Sequence, residues 1–397
     1  MKIYKVGGCV RDALLGKEHS DTDFVIVGSN TAKMLALGFR QVGKSFPVFL
    51  HPKTNEEYAL ARVERKTADG YYGFETQTDD VSLEEDLLRR DLTINAIAMD
   101  ENSNIIDPYN GASDIKNKIL RPVSIAFKED ALRVIRVTRF YAVLGSEWHI
   151  HDEIFQYAQE CKNELRLISK ERIYLETKKA FATKKPSLFF IALKILGVLD
   201  VVYPEIAEMI NVFQNSKYHK EDVFTHTMMA LDLCENDAQK FAILFHDIAK
   251  PYCQKTDGNM HMHCDKITLE PFLQKIKKSY ALTKYEYDLT RWFAINHLRF
   301  GMLLQGLLKN KTVLDLLLSI KTKEMLTDII KGSLADMNGR ISDTKTNIVQ
   351  LDKIPKIYEE LKLLKIECSG LRVEQIKNRL RHARIRIVAT YYADIEK

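Results

Sequence analysis

The chain has 397 residues, 46% of them hydrophobic and 28% charged, which at about 100 to 200 residues per domain is material for several cores and excludes both a single small module and a disordered chain. Lysine and arginine outnumber aspartate and glutamate by 59 to 54, a net +5 that permits a polyanionic partner without requiring one. Six cysteines with no Cys-x-x-Cys pair exclude a zinc ribbon and a disulfide framework and fit a reducing cytoplasm.

In chain order, KIYKVGG reads as a strand ending in a glycine pair, followed by a helix start that carries Arg11. Arg11 and Asp12 arrive before any apolar run long enough for a signal peptide, so no export is expected. Further β-rich runs, DFVIVGS, FPVFLHP, EEYALARVE and INAIAMD, alternate with turn signals and predict an α+β domain. Between Val63 and Asp80 the segment VERKTADGYYGFETQTDD lacks periodicity and predicts a long surface loop. From Ala126 onward apolar positions recur at helical spacing, and the remainder is expected to be essentially all helical. The most apolar stretch, Ser187 to Pro204, carries Lys194 and Asp200 and falls short of the roughly 20 clean residues of a membrane span, so it predicts a buried helix and no membrane partner. Near the C-terminus QIKNRLRHARIRI concentrates Lys377, Arg379, Arg381, Arg384 and Arg386, either an RNA-facing patch or the more usual solvated helix face.

The richest chemistry lies in KVGGCVRDALLGKEHSDTDFVIVG. Asp21 and Asp23 open an apolar β run, and carboxylates two apart on a strand point the same way. Two close carboxylates repel unless a cation sits between them, and hard oxygen ligands favour Mg2+ completed by substrate phosphates. An isolated Asp-x-Asp would be a solvated turn. Here it follows Gly7 and Gly8, which let backbone N–H groups approach a triphosphate, and Arg11, which can fork onto phosphate oxygens. A phosphate cradle beside a carboxylate pair describes nucleotidyl transfer.

These motifs resemble the class II tRNA nucleotidyltransferase family, the CCA-adding enzymes of the polymerase β superfamily, and in particular its multifunctional bacterial form. The resemblance covers nearly the whole chain: Gly7 to Asp23, then RRDLTINA (Arg89 to Ala96), DPYNGASDIKNKILR (Asp107 to Arg121), EDALRVIRVTRF (Glu129 to Phe140) and SKERIYLE (Ser169 to Glu176). It implies that Gly8 and Arg11 hold the triphosphate, Asp21 and Asp23 the catalytic metals, and Arg90 the ribose or phosphate, while Asp130, Arg133, Arg136 and Arg139 line the nucleotide pocket. Glu64 is a candidate for a third carboxylate, and Asp91 and Asn95 read equally as structural supports or substrate contacts. In the fourth motif Asp130 and Arg133 are three apart and are expected to be helix neighbours. A fixed carboxylate there would accept from the exocyclic amino group of cytosine or adenine while the guanidinium donates to the ring; guanine and uracil present a carbonyl instead and would leave buried acceptors unpaired. The bland alternative is an exposed salt-bridged face.

The middle region holds a second constellation in YHKEDVFTHTMMA, FAILFHDIAKP, GNMHMHCDK, RWFAINHLRF and SLADMNGR. The His246-Asp247 doublet resembles the signature of HD-domain phosphohydrolases, with His226 where the first histidine is expected. Read as lying inside an apolar helix, the doublet would bury a charge at a cost of several kcal/mol, which metal binding resolves. Imidazoles with carboxylates suit a transition metal such as Ni2+, and His263, His297 and Asp336 are candidate further ligands or phosphate contacts. The resemblance implies 2′,3′-cyclic phosphodiesterase, 2′-nucleotidase and phosphatase activity.

The expected architecture is therefore α+β: a polymerase β-like nucleotidyltransferase head over residues 1–140, an all-α neck and body over 141–215, an HD domain over 216–345 and a helical tail over 346–397. The expected partners are tRNA, CTP and ATP, for a cytoplasmic monomer or homodimer that uses Mg2+ in the head and a transition metal in the HD region. The rivals are a poly(A) polymerase, which shares the head motifs, and a phosphohydrolase or RNA-binding protein with an inactive head.

Overall fold

The computed structural model describes residues 1–18, 22–42, 48–66, 74–213, 220–252, 266–341, 347–369 and 372–392, with backbone alone at 64–66, 74–76 and 266–268. Two compact units divide it, Met1–Val202 and Tyr203–Lys397. Asp21 and His263 lie outside the described residues, as do Cys253 and Cys264, and the side chain of Glu64 is not described. The other four cysteines are free thiols.

The first unit is built on a seven-stranded mixed sheet in the order β3-β4-β5-β2-β1-β8-β9. Its strands are β1 (Lys2–Val6), β2 (Asp23–Val27), β3 (Arg40–Val42), β4 (Val48–Leu50), β5 (Glu57–Leu60), β8 (Ala98–Met99) and β9 (Ile105–Ile106). β1 and β2 are antiparallel with Val6 opposite Asp23, and β2 runs parallel to β5 with Asp23 opposite Glu57. Period-two alternation puts Val25 into one core with Val6, Ala61, Leu83, Leu87 and Ala98, and Ile26 into another with Met34, Phe49, Tyr58 and Leu60. Because both faces are covered, the register is fixed, and so is the position of Asp23 at the exposed mouth of β2.

Two expectations are corrected here. Val63 to Asp80 is not simply a loop, since β6 (Val63–Lys66) and β7 (Phe74–Gln77) pair antiparallel from Val63 opposite Gln77 to Lys66 opposite Phe74. Both runs, VERK and FETQ, are four residues long and mostly polar, so no apolar alternation announces them. INAIAMD is a strand only at Ala98–Met99, because Thr93–Asn95 forms a 3₁₀ turn. That turn lies against α4 (Gly111–Asn117), whose start is held by Asp107 accepting from the N–H groups of Gly111 and Ala112 at 2.7 and 2.8 Å.

Beyond this point helices dominate. α5 (Leu132–Leu144) packs on the helices Lys170–Phe181 and Ser187–Ile195. The latter buries Phe189, Phe190 and Leu193 as the apolar run requires, and the chain then turns at Gly197, whose φ of 68° suits glycine. Among the described residues the helical pattern is interrupted by β11 (His149–Ile150), which pairs with β10 (Ile119–Leu120), and by an isolated bridge between Phe213 and Asp222. In the second unit side-chain caps set the helix starts: Asp222 for Val223–Leu231, Asn236 for Asp237–Leu244, Thr283 for Lys284–Leu304 and Thr322 for Lys323–Asn338. The basic C-terminal run lies on the helix Val373–Tyr391, with Lys377, Arg379, Arg381 and Arg386 exposed and Arg384 half-buried. Among the described residues no helix is long and apolar enough to cross a membrane.

Gly111 sets how closely α4 approaches the Thr93–Asn95 turn, since a Cβ there would stand 2.2 Å from the Thr93 carbonyl oxygen and 2.8 Å from Ile97. Backbone cannot swing aside as a side chain can. Gly111→Ala is therefore expected to cost about 1 to 3 kcal/mol, measured by urea denaturation against the parent chain.

Candidate functional site

In the first unit the elements named by the sequence converge on one buried polar network. α1 (Gly8–Leu14) carries Arg11, which is 7% exposed. Its guanidinium donates to Asn95 Oδ1 at 2.8 Å and to Asp12 at 2.9 Å. Asn95 in turn donates through Nδ2 to Asp91 Oδ1 at 3.0 Å. The other Asp91 oxygen accepts from Arg136 Nε at 2.8 Å, with Arg136 Nη2 at 2.7 Å. The ring of Phe140 backs this chain, with the guanidinium carbons of Arg11, Arg136 and Arg139 at 5.3, 5.7 and 4.0 Å from its centroid. Arg139 is anchored by Glu176 at 2.6 Å.

Between Leu132 and Phe140 every residue of α5 is buried except Arg133, Arg136 and Arg139. A helix that is apolar all round but for one row of guanidinium groups presents them to a single place, which is how a polyanion would be met. Burial alone would raise the Asp91 carboxyl, but Arg136, Asn95 and Arg133 outweigh it and hold it well below the usual carboxylate range. Asp91 and Asn95 are thus structural members of this network, tying α1 to α5.

Asp130 departs from expectation. It precedes α5 in extended conformation, its Oδ1 accepting from the N–H of Leu132 at 3.0 Å, so it caps the helix start instead of standing on it beside Arg133. Its Oδ2 accepts from Arg172 Nη2 at 2.9 Å, while Arg133 donates to the carbonyl of Ala126 at 2.7 Å. Arg172 and Glu176 were not singled out from sequence, although both lie in SKERIYLE. Arg90 donates to the Asn95 carbonyl and to Asp86, both at 3.3 Å, and a Cβ on Gly7 would come within 3.0 Å of its Nη1. The bare Cα of Gly7, at φ 74°, is what lets this guanidinium close in.

In the second unit His226, His246, Asp247, His297 and Asp336 come together. His226 lies on Val223–Leu231, His297 on Lys284–Leu304 and Asp336 on Lys323–Asn338. The doublet is not inside a helix. Asp237–Leu244 ends before it, and both the N–H and the Nδ1 of His246 turn back onto the Ile243 carbonyl, at 3.3 and 2.7 Å. Each of the three imidazoles spends Nδ1 on a carbonyl: His226 on Gly339 at 2.9 Å, His246 on Ile243, and His297 on Phe293 at 3.1 Å. A carbonyl only accepts, so each Nδ1 donates to the backbone and each Nε2 is turned inward.

Those inward nitrogens face oxygens. Asp336 Oδ1 is 2.9 Å from His226 Nε2 and 3.3 Å from His246 Nε2, and Asp247 Oδ2 is 3.0 Å from His246 Nε2. The Nε2 atoms of His246 and His297 and Oδ1 of Asp247 are buried without a hydrogen-bond partner among the described residues. Such a set of acceptors demands positive charge at its centre. Burial opposes charging His246, but Asp247 and Asp336 outweigh it and lift the imidazole to about 10. A divalent ion would replace that proton, and the donor set of imidazole nitrogens with carboxylate oxygens fits one. Close approach of Gly339 to the Val223–Leu231 helix completes the arrangement, as a Cβ there would meet Ala230 backbone at 2.4 Å.

Because the folded Asp91 carboxyl is depressed, its stabilisation is present above the unfolded value of about 4 and is lost only as pH falls through the lower folded value. Asp91→Asn is expected to cost about 3 kcal/mol at pH 7, the low end for a broken buried pair because the Arg136 side chain keeps 34% of its surface. Urea denaturation should show the acid loss of stability to be steeper in the parent chain than in the variant, and equal slopes would contradict it.

A model of the Poly A polymerase head domain matches residues 3–121, and one described as the probable RNA and SrmB-binding site of polymerase A matches 148–210. The chain is 39% identical to the multifunctional CCA protein of Shewanella denitrificans, over 100% of this chain and 99% of that one, and 40% identical to that of Shewanella frigidimarina, over 98% and 97%. Among solved structures, the Bacillus stearothermophilus CCA-adding enzyme in complex with CTP aligns over 98% of this chain and 89% of its own with a TM-score of 0.65 at 22% identity, a likeness of fold. Two-fifths identity sustained from end to end places the chain in the multifunctional CCA protein family.

Proposed function

We propose that the chain adds CCA to the 3′ end of tRNA from CTP and ATP without a nucleic-acid template, and that its second unit hydrolyses phosphate esters. The observation that carries the first part is the guanidinium row of α5 with Asp130 at its head, in a chain related along its whole length to multifunctional CCA proteins. The four-part division into head, neck and body, HD domain and tail belongs to the same proposal.

In this reading Arg133, Arg136 and Arg139 face the nucleotide, and Asp130 accepts from the amino group that cytosine and adenine share. Gly8, Arg11 and Arg90 serve the triphosphate side, with Arg11 held in place by Asn95 and Asp12. Asp21 and Asp23 would hold Mg2+, which when bound activates the attacking hydroxyl and stabilises the departing pyrophosphate. Asp23 stands exposed at the start of β2, open to solvent and substrate. Arg172 keeps one Asp130 oxygen engaged, so base recognition uses a carboxylate already oriented by charge. The cation-demanding centre of the second unit supports a transition ion such as Ni2+ and hydrolysis of 2′,3′-cyclic phosphates, 2′-nucleotides and simple phosphomonoesters.

Three outcomes test this. Asp23→Asn should abolish addition of both nucleotides while tRNA binding largely survives, and extension at near parental rate would remove Asp23 from the reaction. Asp130→Ala or Arg133→Ala should weaken discrimination against UTP and GTP by about 10- to 150-fold, the worth of a charged hydrogen bond of roughly 1.5 to 3 kcal/mol; undiminished selectivity in both would refute the base-reading role. His246→Ala with Asp247→Ala, folded by circular dichroism, should lose release of product from 2′,3′-cyclic AMP and keep nucleotide addition, since Asp23 and His246 belong to different units. Hydrolysis at full rate would remove the second assignment.

A further inference from the structure

The most deeply enclosed carboxylate among the described residues of the first unit is Asp86, 0% exposed on the helix Leu83–Leu88. Its Oδ1 accepts from the N–H of Arg62 at 3.2 Å and from Arg89 through Nε at 3.1 Å and Nη2 at 2.7 Å. Arg89 Nε also donates to the Arg62 carbonyl at 3.0 Å, so this oxygen is pinned between a backbone segment and a cation. The other oxygen is thereby aimed at Arg90, whose Nη2 donates to it at 3.3 Å. Burial opposes charge on Asp86, but Arg89 and Arg90 outweigh it and hold the carboxyl below its usual range.

Two guanidinium groups thus share one carboxylate, and Arg89 holds it at the shorter distance. The neighbouring acids are engaged elsewhere, Asp91 by Asn95 and Arg136 and Asp12 by Arg11. The charge of Arg90 is therefore in surplus beside the glycine turn, where a Cβ on Gly7 would come within 3.0 Å of its Nη1. Nη1 donates to the Asn95 carbonyl at 3.3 Å, and Nε has no hydrogen-bond partner among the described residues. The Arg90 side chain keeps 18% of its surface, so this half-used fork is not sealed off, and an oxyanion is the ligand it fits. We infer that Asp86 is a positioning residue for nucleotide addition, holding the Arg90 fork against the Gly7 turn on the triphosphate side of the nucleotide. The inference rests on the reading of the first unit as a nucleotidyl-transfer site and deepens it.

The test compares the full chain with Asp86→Asn, Arg90→Ala and the double variant, each checked for folding by circular dichroism. Steady-state kinetics use a tRNA transcript lacking CCA for CTP and one ending in CC for ATP. Asparagine keeps its amide oxygen toward Arg62 and Arg89, which present three N–H groups, and so turns its NH2 toward Arg90, donor against donor. Asp86→Asn is expected to raise KM for CTP and for ATP by about 100-fold, the effect of a misplaced contact group. KM for tRNA and selectivity against UTP and GTP should stay at parental values, and the substitution should add nothing in the Arg90→Ala background. A parental nucleotide KM in folded Asp86→Asn, beside an impaired Arg90→Ala, overturns the positioning role while nucleotidyl transfer stands. So do losses that multiply in the double variant, or base selectivity that falls together with the rise in KM. Parental kinetics in Arg90→Ala removes Arg90 from the site and the inference with it, and a parent chain that adds no nucleotide removes the reading itself. Should Asp86→Asn not fold, Asp86→Asn with Arg89→Met takes out the buried anion together with its nearer partner, an exchange that buried pairs tolerate. The same rise in nucleotide KM is expected there, and a parental KM overturns the inference.

Discussion

A charge taken out of water must find its opposite, and at Asp91 that requirement ties distant segments of this chain together. Its carboxylate is 6% exposed and holds Asn95 on one oxygen and Arg136 on the other. Through Asn95 it fixes Arg11 on α1; through Arg136 it fixes α5. The segments that carry the proposed triphosphate contacts and the proposed base contacts are far apart in sequence, and one buried anion sets their mutual geometry. Preorganisation of this kind suits the proposed role, in which side chains alone choose the nucleotide, because guanidinium groups already held in place lose little freedom when a substrate arrives.

The second unit solves the same problem with the opposite sign. There the surplus is of acceptors: three imidazoles are held by backbone carbonyls in the orientation that turns Nε2 inward, toward two carboxylates. The backbone thereby does the work of a second coordination sphere, and each carbonyl is delivered by a helix end or a helix turn. Gly339 shows how tightly this is built, since its carbonyl reaches His226 only because the helix end lies almost against Ala230.

Much of this was legible in the sequence, and for a physical reason: residues that meet charge are few, polar and set against apolar neighbours. Arg133, Arg136 and Arg139 stand out within EDALRVIRVTRF, and His246-Asp247 within FAILFHDIAKP, because buried apolar segments have little other use for such groups. What was not legible was local backbone geometry. Asp130 reads as a helical residue by spacing, yet it caps the helix because its carboxylate competes for the Leu132 N–H. His246 likewise lies past a helix end, with its N–H and Nδ1 both turned back onto the Ile243 carbonyl. The β6–β7 pair left no hydrophobic alternation to read, and the partnership of Asp130 with Arg172 joins residues 42 apart, one before α5 and the other on the helix Lys170–Phe181, which no periodicity can reveal.

The central claim is that side chains of the first unit, with no nucleic-acid template, select cytidine and then adenosine. It is tested most directly by giving the purified chain a tRNA transcript that lacks its 3′ CCA, together with each nucleoside triphosphate alone and with CTP and ATP combined, and resolving the products at single-nucleotide length. The account predicts that CTP alone adds two cytidines and stops, that ATP completes only a transcript already ending in CC, and that UTP and GTP add nothing. A long adenosine run from ATP alone, or indifferent use of all four nucleotides, would contradict it.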